Sequence, residues 1–488
     1  MGGAIKNGKG KMLMTLGVGI LAYLSASTFV HAAPEALAKE DCGAVARRAR
    51  DYFNDEAFRR EFRDAAIGIA RRKKAWSEQR LARSGVKTPF KVRERMPTGG
   101  GFDGFFVWDS AFGVLWGRYV DGMPVHGTLD NFYDLQQPDG FICREYDCAA
   151  RPTWKCDHPI AYSPPLFAWA EIELFRCGKS DKWRLETVYP KLVKFHECYD
   201  RHLKRPDGLY FSDMLGSGMD DLKRWPHGMS KEDIMKGGIE LTKEYLYPSQ
   251  ERIWNWIVKF GYLGCKGTWN RQAGWIDLSA QMAFDCMNLA YIAKAIGNDA
   301  DVQKWAKEYK RIKDLVNEKC WDDKTGFYYD YCDSGLIMRK HAGAFWTLLA
   351  KIPDADRVKR MVETITDPRC FWREFGPPAL SADDPDYDPI NGYWQGPIWP
   401  PTTYVLICGL RACGETEVAR KLAHKWYNAN AELYVRDKTV YENIPPVRDL
   451  VGKRRRRPDR DFCGWGALAP VAIPAEWPID ADSVQPTH

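Results

Sequence analysis

Two stretches far apart in the chain share one piece of punctuation. Pro164-Pro165 opens a segment that Gly178 closes, and Pro400-Pro401 opens another that Gly414 closes. Proline is tolerated in the first turn of a helix, where its missing N–H has no partner to lose, and glycine adopts the left-handed stop. Each pair therefore frames one helix. Between them, Asp277–Ile296 carries Met282, Cys286, Leu289, Ala293 and Ile296 on a single apolar stripe that Gly297 ends. Glu415–Asn430 follows the second framed helix, with Val418, Leu422 and Trp426 on one face. His341–Ile352 and Ala355–Ile365 form a further helical pair, and Ala44–Arg83 is helical and strongly basic. Strand signals are scarce, the best being Gly208–Ser212 and Thr325–Tyr331. The pattern is all-α: a succession of helical hairpins with long aromatic and acidic loops at one end. Periodicity does not say whether the hairpins close into a ring.

The N-terminus has the layout of an export signal over residues 1–32. Lys6, Lys9 and Lys11 precede the apolar run Met12–Leu24, and Val30-His31-Ala32 offers a cleavage site, with Ala36-Leu37-Ala38 as a second. The run is too short for a firm membrane span, so a secreted or periplasmic location is expected, with an uncleaved anchor as the only membrane contact. An N-terminal helical segment then occupies 33–90, and the main body 91–488. A net charge of +6 on 488 residues gives no reason to expect a nucleic-acid partner. Of 14 cysteines, Cys177, Cys286, Cys408 and Cys413 sit in apolar helical patterns as small hydrophobes, whereas Cys143, Cys148 and Cys156 cluster in a loop-rich region as disulfide candidates. There is no CxxC pair, HExxH, phosphate-binding loop or dinucleotide fingerprint. Neither metal nor cofactor is expected.

Four loops combine aromatics and glycine with a carboxylate or amide: Phe105–Ser110, Gly216–Asp221, Asn391–Tyr404 and Tyr441–Pro446. Flat rings on a rigid loop suit the CH faces of a sugar, and fixed polar groups suit its hydroxyls. Cleaving a glycosidic bond takes two carboxyl groups, one protonated and one ionised, from loops that flank the bond. Asp109, Asp220 and Glu442 are the candidates. Each has an ordinary reading beside this one: a helix cap for Asp109, an Asx-turn for Asp220-Asp221, a solvated loop for Glu442. Glu432 competes with Glu442. The run Lys453–Arg457 reads as solvated, or as an attractor of an acidic substrate group at the pocket mouth. Lys223 and Arg224 are better placed to touch an aglycone carboxylate. Asp383, Asp384, Asp386 and Asp388 read as a solvated loop.

Taken in order, these segments resemble the glycoside hydrolases of families 63 and 37. PTGGGFDGFFVWDSAF (97–112) is similar to the first trehalase signature, YWQGPIWPPTTY (393–404) to the family 63 form YWRGPIWP, and SGMDD (217–221) to an SGMDNS-type segment. WIDLSAQ (275–281), QQPDG (136–140), SPPL (163–166) and WGA (465–467) also match recurring pieces. The resemblance implies an (alpha/alpha)6 toroid and an inverting mechanism, with Asp220 as general acid and Glu442 as general base. It implies a substrate pocket drawing on Phe106, Trp108, Asp109, Gln137, Gly218, Arg224, Tyr393, Trp394, Gln395 and Trp399. An exported exo-type hydrolase of a terminal alpha-glucoside or alpha-mannoside is expected. Alpha,alpha-trehalase is the alternative enzyme, and a non-catalytic glycan-binding protein on the same fold the alternative of another class. Asp221 stands where the family often has Asn, and Gln395 replaces the common Arg of the YWRG form, a position at which mannosylglycerate hydrolase-like proteins also vary.

Overall fold

The structure, a computed structural model, describes residues 50–84, 92–230, 233–234, 240–259, 271–455 and 457–479. The expected leader, Cys42 and Cys265 lie outside the described residues. The helices run α1 (Glu56–Ser84), α2 (Val107–Gly117), α3 (Val125–Leu135), α4 (Phe167–Arg176), α5 (Lys182–His202) and α6 (Glu251–Lys259). They continue as α7 (Ile276–Ile296), α8 (Asp299–Lys319), α9 (Trp346–Leu349), α10 (Ala355–Thr366), α11 (Pro400–Ala412), α12 (Thr416–Asp437) and α13 (Ile473–Glu476). A π-helical turn at Leu468–Ala472 leads into α13.

The packing closes into a ring. Helix α2 packs on α4, α4 on α7, α7 on α9, α9 on α11, α11 on the 468–472 turn, and that turn back on α2. These six inner segments are apolar nearly all round; in α2 every residue except Asp109 is buried. Outside them lie amphipathic partners: α3 on α2, α5 on α4 and α7, α8 on α7, and α12 on α11. Helix α8 buries little beyond Trp305, Ile312 and Val316. Two concentric layers of alternating helices make an (alpha/alpha)6 toroid.

The toroid has a polarity. Five of the six inner segments turn into an outer partner through a short connection, and Gly122, Gly178, Gly297 and Gly414 take positive φ in four of these turns. Lys351 (φ 51) serves in the fifth, between α9 and α10. The long loops therefore gather at the other rim, where the inner helices begin. Short antiparallel pairings stiffen them: β1 (Phe105–Phe106) with β2 (Glu145–Tyr146), and a three-stranded sheet in which β6 (Asp330–Cys332) lies between β3 (Ala273–Gly274) and β7 (Gly335–Ile337). A further pair joins β4 (Trp321–Asp322) to β5 (Phe327–Tyr328).

Several expectations need correction. Gly208–Ser212 is no strand; Tyr210 instead ties to the start of α7, its N–H donating to Ser279 Oγ at 3.1 Å and its carbonyl accepting from Trp275 at 2.7 Å. His341–Ile352 is a 3-10 turn followed by the single turn α9. Cys143, Cys148 and Cys156 form no disulfide, and every described cysteine is a free thiol. Cys143 is held within its own loop, donating to the Glu145 carbonyl at 3.2 Å, and burial pushes its thiol up to about 11. The acidic loop before the aromatic stretch is neutralised rather than merely solvated. Asp383 pairs with Lys340, Asp384 with Arg339 at 3.0 Å, and Asp386 with Lys223 at 2.6 Å and Arg339 at 2.8 Å. Asp388 accepts from the backbone of Asn391 at 2.9 Å.

Candidate active site

The first carboxylate stands where α2 begins. The pairing of β1 with β2 holds Phe106 extended, and Val107 N–H donates to the Arg144 carbonyl at 3.0 Å. Phe106 is thus the N-cap residue and makes no side-chain cap bond. Asp109 falls inside the first turn, so it is not the cap. Its carboxyl is pushed well above the usual range, first by burial and then by the negative charges of Asp220 and Glu442. Its own N–H and Arg144 oppose that shift without cancelling it. The loops bearing Asp220 and Glu442 thus come near enough to the start of α2 for their charges to act on Asp109.

The loop bearing Asp220 is a compact turn built on Asp213, whose carboxylate accepts from Leu215 N–H at 2.9 Å. Gly218 has φ +80, and a Cβ there would sit 3.2 Å from the Trp108 ring. Only glycine lets this loop lie flat on the tryptophan. On its far side, Asp221 Oδ1 accepts from Trp394 N–H at 2.7 Å, and the Asp221 carbonyl accepts from Gln395 Nε2 at 2.6 Å. The two departures from the family pattern thus meet each other: Asp221 and Gln395 clamp the Asp220 loop to the aromatic loop.

The aromatic loop is rigid in itself. Trp394 stacks on Trp399 at 3.8 Å and 6°, and Trp399 Nε1 donates to the Tyr393 carbonyl at 2.9 Å. Tyr393 hydroxyl donates to Glu442 Oε1. Asn443 Nδ2 reaches Glu442 Oε2 at 3.0 Å, and Trp465 Nε1 donates to the Glu442 carbonyl at 2.8 Å. Glu442 is therefore buried and gripped at both oxygens, not a solvated loop residue. Glu432 is elsewhere, on α12, in an ion pair with Arg448 at 2.8 Å. Gln137 donates to the Tyr247 hydroxyl at 3.0 Å, and half-buried Phe106 packs edge-on against Phe102.

Arg224 departs from expectation. It is fully buried, held by Asp277 at 2.6 Å and Asp330 at 2.7 Å, and lies over the Trp275 ring at 3.9 Å. Both carboxylates satisfy its fork from within the protein, so it has no face to offer an aglycone. Lys223 is committed to Asp386. Sequence reasoning missed Arg144, which pairs with Glu145 at 2.8 Å, donates to the Leu215 carbonyl at 3.0 Å and lies near enough to Asp220 for that charge to act on it. The signal was an arginine set between Phe141-Ile142-Cys143 and Tyr146, an apolar setting that demands a buried partner. Among the described residues, the two groups with metal-ligand geometry, Asp139/Cys198/His202 and His227/Asp384/Asp386, include none of the three site carboxylates.

The raised Asp109 has a stability consequence. A carboxyl whose folded pKa lies above its unfolded value stabilises at low pH, and that contribution is lost as pH rises through the folded value. Asp109→Asn mimics the protonated form, so melting temperature at pH 7–8 should rise by on the order of 1–3 °C over wild type. The two should converge near pH 4, and a pH series of calorimetric scans checks this. Equal or lower stability of the variant at pH 8 contradicts the upward shift of Asp109.

Residues 104–461 match the family model described as the mannosylglycerate hydrolase MGH1-like glycoside hydrolase domain. A mannosylglycerate hydrolase of Rubrobacter radiotolerans is 27% identical over 367 residues, covering 64% of this chain and 80% of that protein. The mannosyl-oligosaccharide glucosidase of Saccharomyces cerevisiae is 22% identical over 447 residues, 80% of this chain and 52% of that protein. An uncharacterised Borreliella burgdorferi protein is 22% identical over 303 residues, 62% of this chain and 54% of its own length. The chain thus spans about half the length of the last two relatives. Among solved structures, the family 63 mannosylglycerate hydrolase of Thermus thermophilus superposes with a TM-score of 0.60 at 20% identity, over 84% of this chain and 99% of that one. That likeness supports the toroid. With the family model spanning most of its length, this chain belongs to the mannosylglycerate hydrolase MGH1-like family of glycoside hydrolase domains.

Proposed function

We propose that the protein is an inverting, exo-acting glycoside hydrolase that removes a terminal alpha-linked glucose or mannose. The observation that carries this reading is the convergence of four loops: the Asp220 loop lies on Trp108 and is tied to Trp394, Tyr393 holds Glu442, and the charges of Asp220 and Glu442 reach Asp109. Asp220 donates its proton to the glycosidic oxygen as the C1–O bond breaks. Glu442 takes a proton from a water that attacks C1 from the opposite face, and exchange with solvent restores both groups. Asp109 accepts from or donates to hydroxyls of the sugar in the first subsite. Trp108 Nε1, buried with no partner among the described residues, supplies one further donor. Crowding three carboxyls favours keeping a proton in the recess, which acid catalysis needs.

The Rubrobacter relative is named for mannosylglycerate, so an alpha-mannoside of a small hydroxy acid heads the list of substrates. Export to the periplasm or medium is part of the proposal and rests on residues 1–32. No described helix is long and apolar enough to cross a membrane. The test is release of reducing sugar from a panel of mannosylglycerate, alpha-mannosides, alpha-glucosides and trehalose. Turnover of trehalose alone would favour the trehalase alternative. Binding without turnover across the panel would overturn the enzyme reading in favour of a glycan-binding protein.

A further inference from the structure

One member of the basic run Lys453–Arg457 behaves unlike its described neighbours. Lys453, Arg455 and Arg457 are exposed, whereas Arg454 is 6% exposed. Its guanidinium donates to Asn443 Oδ1 at 2.5 Å, and Asn443, itself fully buried, donates from Nδ2 to Glu442 Oε2 at 3.0 Å. The order of these contacts is forced. A guanidinium has only donors, so it fixes the amide with its oxygen toward Arg454 and its NH2 toward the carboxylate. A flipped amide would set oxygen against oxygen at Glu442 and NH2 against the cation.

We propose that Arg454 is a positioning residue: acting through Asn443, it locks the donor that holds Glu442 Oε2 and so keeps Glu442 as the ionised member of the carboxyl group. The proposal rests on the reading of Glu442 as general base. Among the described residues, the charged and titratable groups around Glu442 include the Tyr393 phenol at Oε1, the carboxyls of Asp109 and Asp220 on the facing loops, and Arg454 behind Asn443. The backbone carbonyl of Asp459 accepts from Glu442 N–H at 3.0 Å, beside the bridge between Tyr441 and Arg460. Glu442 and Asp109 lie close enough to compete for a proton, and a base that wins it is inactive. A cation relayed through a buried amide biases the proton away from Glu442.

The test compares pH profiles of kcat/KM for wild type, Arg454→Met, Arg454→Lys, Asn443→Asp and the exposed control Arg455→Met. Removing donors from a carboxylate raises its pKa, so the acidic limb should move up by about one pH unit in Arg454→Met. Arg454→Lys should recover at least half of that shift, and Arg455→Met should show none. Asn443→Asp, of equal size and still a partner for Arg454, should move the limb the same way. If Arg454→Met does not fold, Asn443→Asp carries the test. An acidic limb unmoved in every folded variant of Arg454 and Asn443 overturns the proposal. The carbon-13 titration of the Glu442 carboxyl, identified by its loss in Glu442→Gln, gives the same comparison without substrate. A wild type that hydrolyses no glycoside defeats the proposed function, while that titration still decides the relay.

Discussion

Asp220→Asn and Glu442→Gln are each expected to lower kcat on a natural alpha-glycoside by about 10²–10⁴-fold, the span that one positioned acid or base contributes. The two losses should differ in kind. A glycosyl fluoride leaves without protonation, so Asp220→Asn should regain most of its rate on that substrate, whereas Glu442→Gln, which lacks a group to activate water, should stay slow. KM should change little in either, because both substitutions keep size and shape while removing an interaction made in the transition state. Full activity of Asp220→Asn on an unactivated glycoside would move the acid role elsewhere, and Asp109, whose carboxyl burial pushes well above its usual range, is then next in line. Recovery of Glu442→Gln by the fluoride alone would show that the base had been assigned to the wrong loop.

The second large effect is on stability. Arg224→Leu should destabilise by about 3–5 kcal/mol, because it leaves Asp277 and Asp330 buried without their cation. Burial pushes the Asp330 carboxyl upward, but Arg224 and His341 beside it outweigh this and hold it below its usual range. A carboxyl with a depressed folded pKa stabilises above its unfolded pKa, and the contribution is lost as pH falls through the folded value. The gap between wild type and variant should therefore be widest near neutrality and narrow in acid, as read by denaturant melts at several pH values. A variant that folds normally but shows only a raised KM would instead make Arg224 a substrate contact.

Helices with their own punctuation or stripe were the legible part of the fold, on the inner layer and, for α10 and α12, on the outer one. Pro400-Pro401 with Gly414 and the stripe ended by Gly297 announce helices because their chemistry is local. Helix α5 was not announced, since it carries Pro190 within a mixed run of charges, and α8 buries too few apolar residues to show a stripe. Ring closure depends on the 468–472 turn packing against α2, a contact between opposite ends of the domain that no periodicity encodes. At the site, residue types were readable and partners were not. Arg224 looked like a ligand for an acidic group because its two carboxylates lie 53 and 106 positions further along the chain. Asp221 looked like a turn residue out of step with the family pattern until Trp394 and Gln395 met it across 173 and 174 positions. The Lys453–Arg457 run read as one feature, and folding separates Arg454 from its described neighbours.

The most direct measurement is the configuration of the sugar as it first leaves the enzyme, followed by proton NMR on an alpha-linked substrate before mutarotation sets in. Water activated by Glu442 on the face opposite the leaving group must give the beta anomer first. Initial release of the alpha anomer would require a covalent intermediate, and would contradict the assignment of Asp220 and Glu442 as an inverting pair.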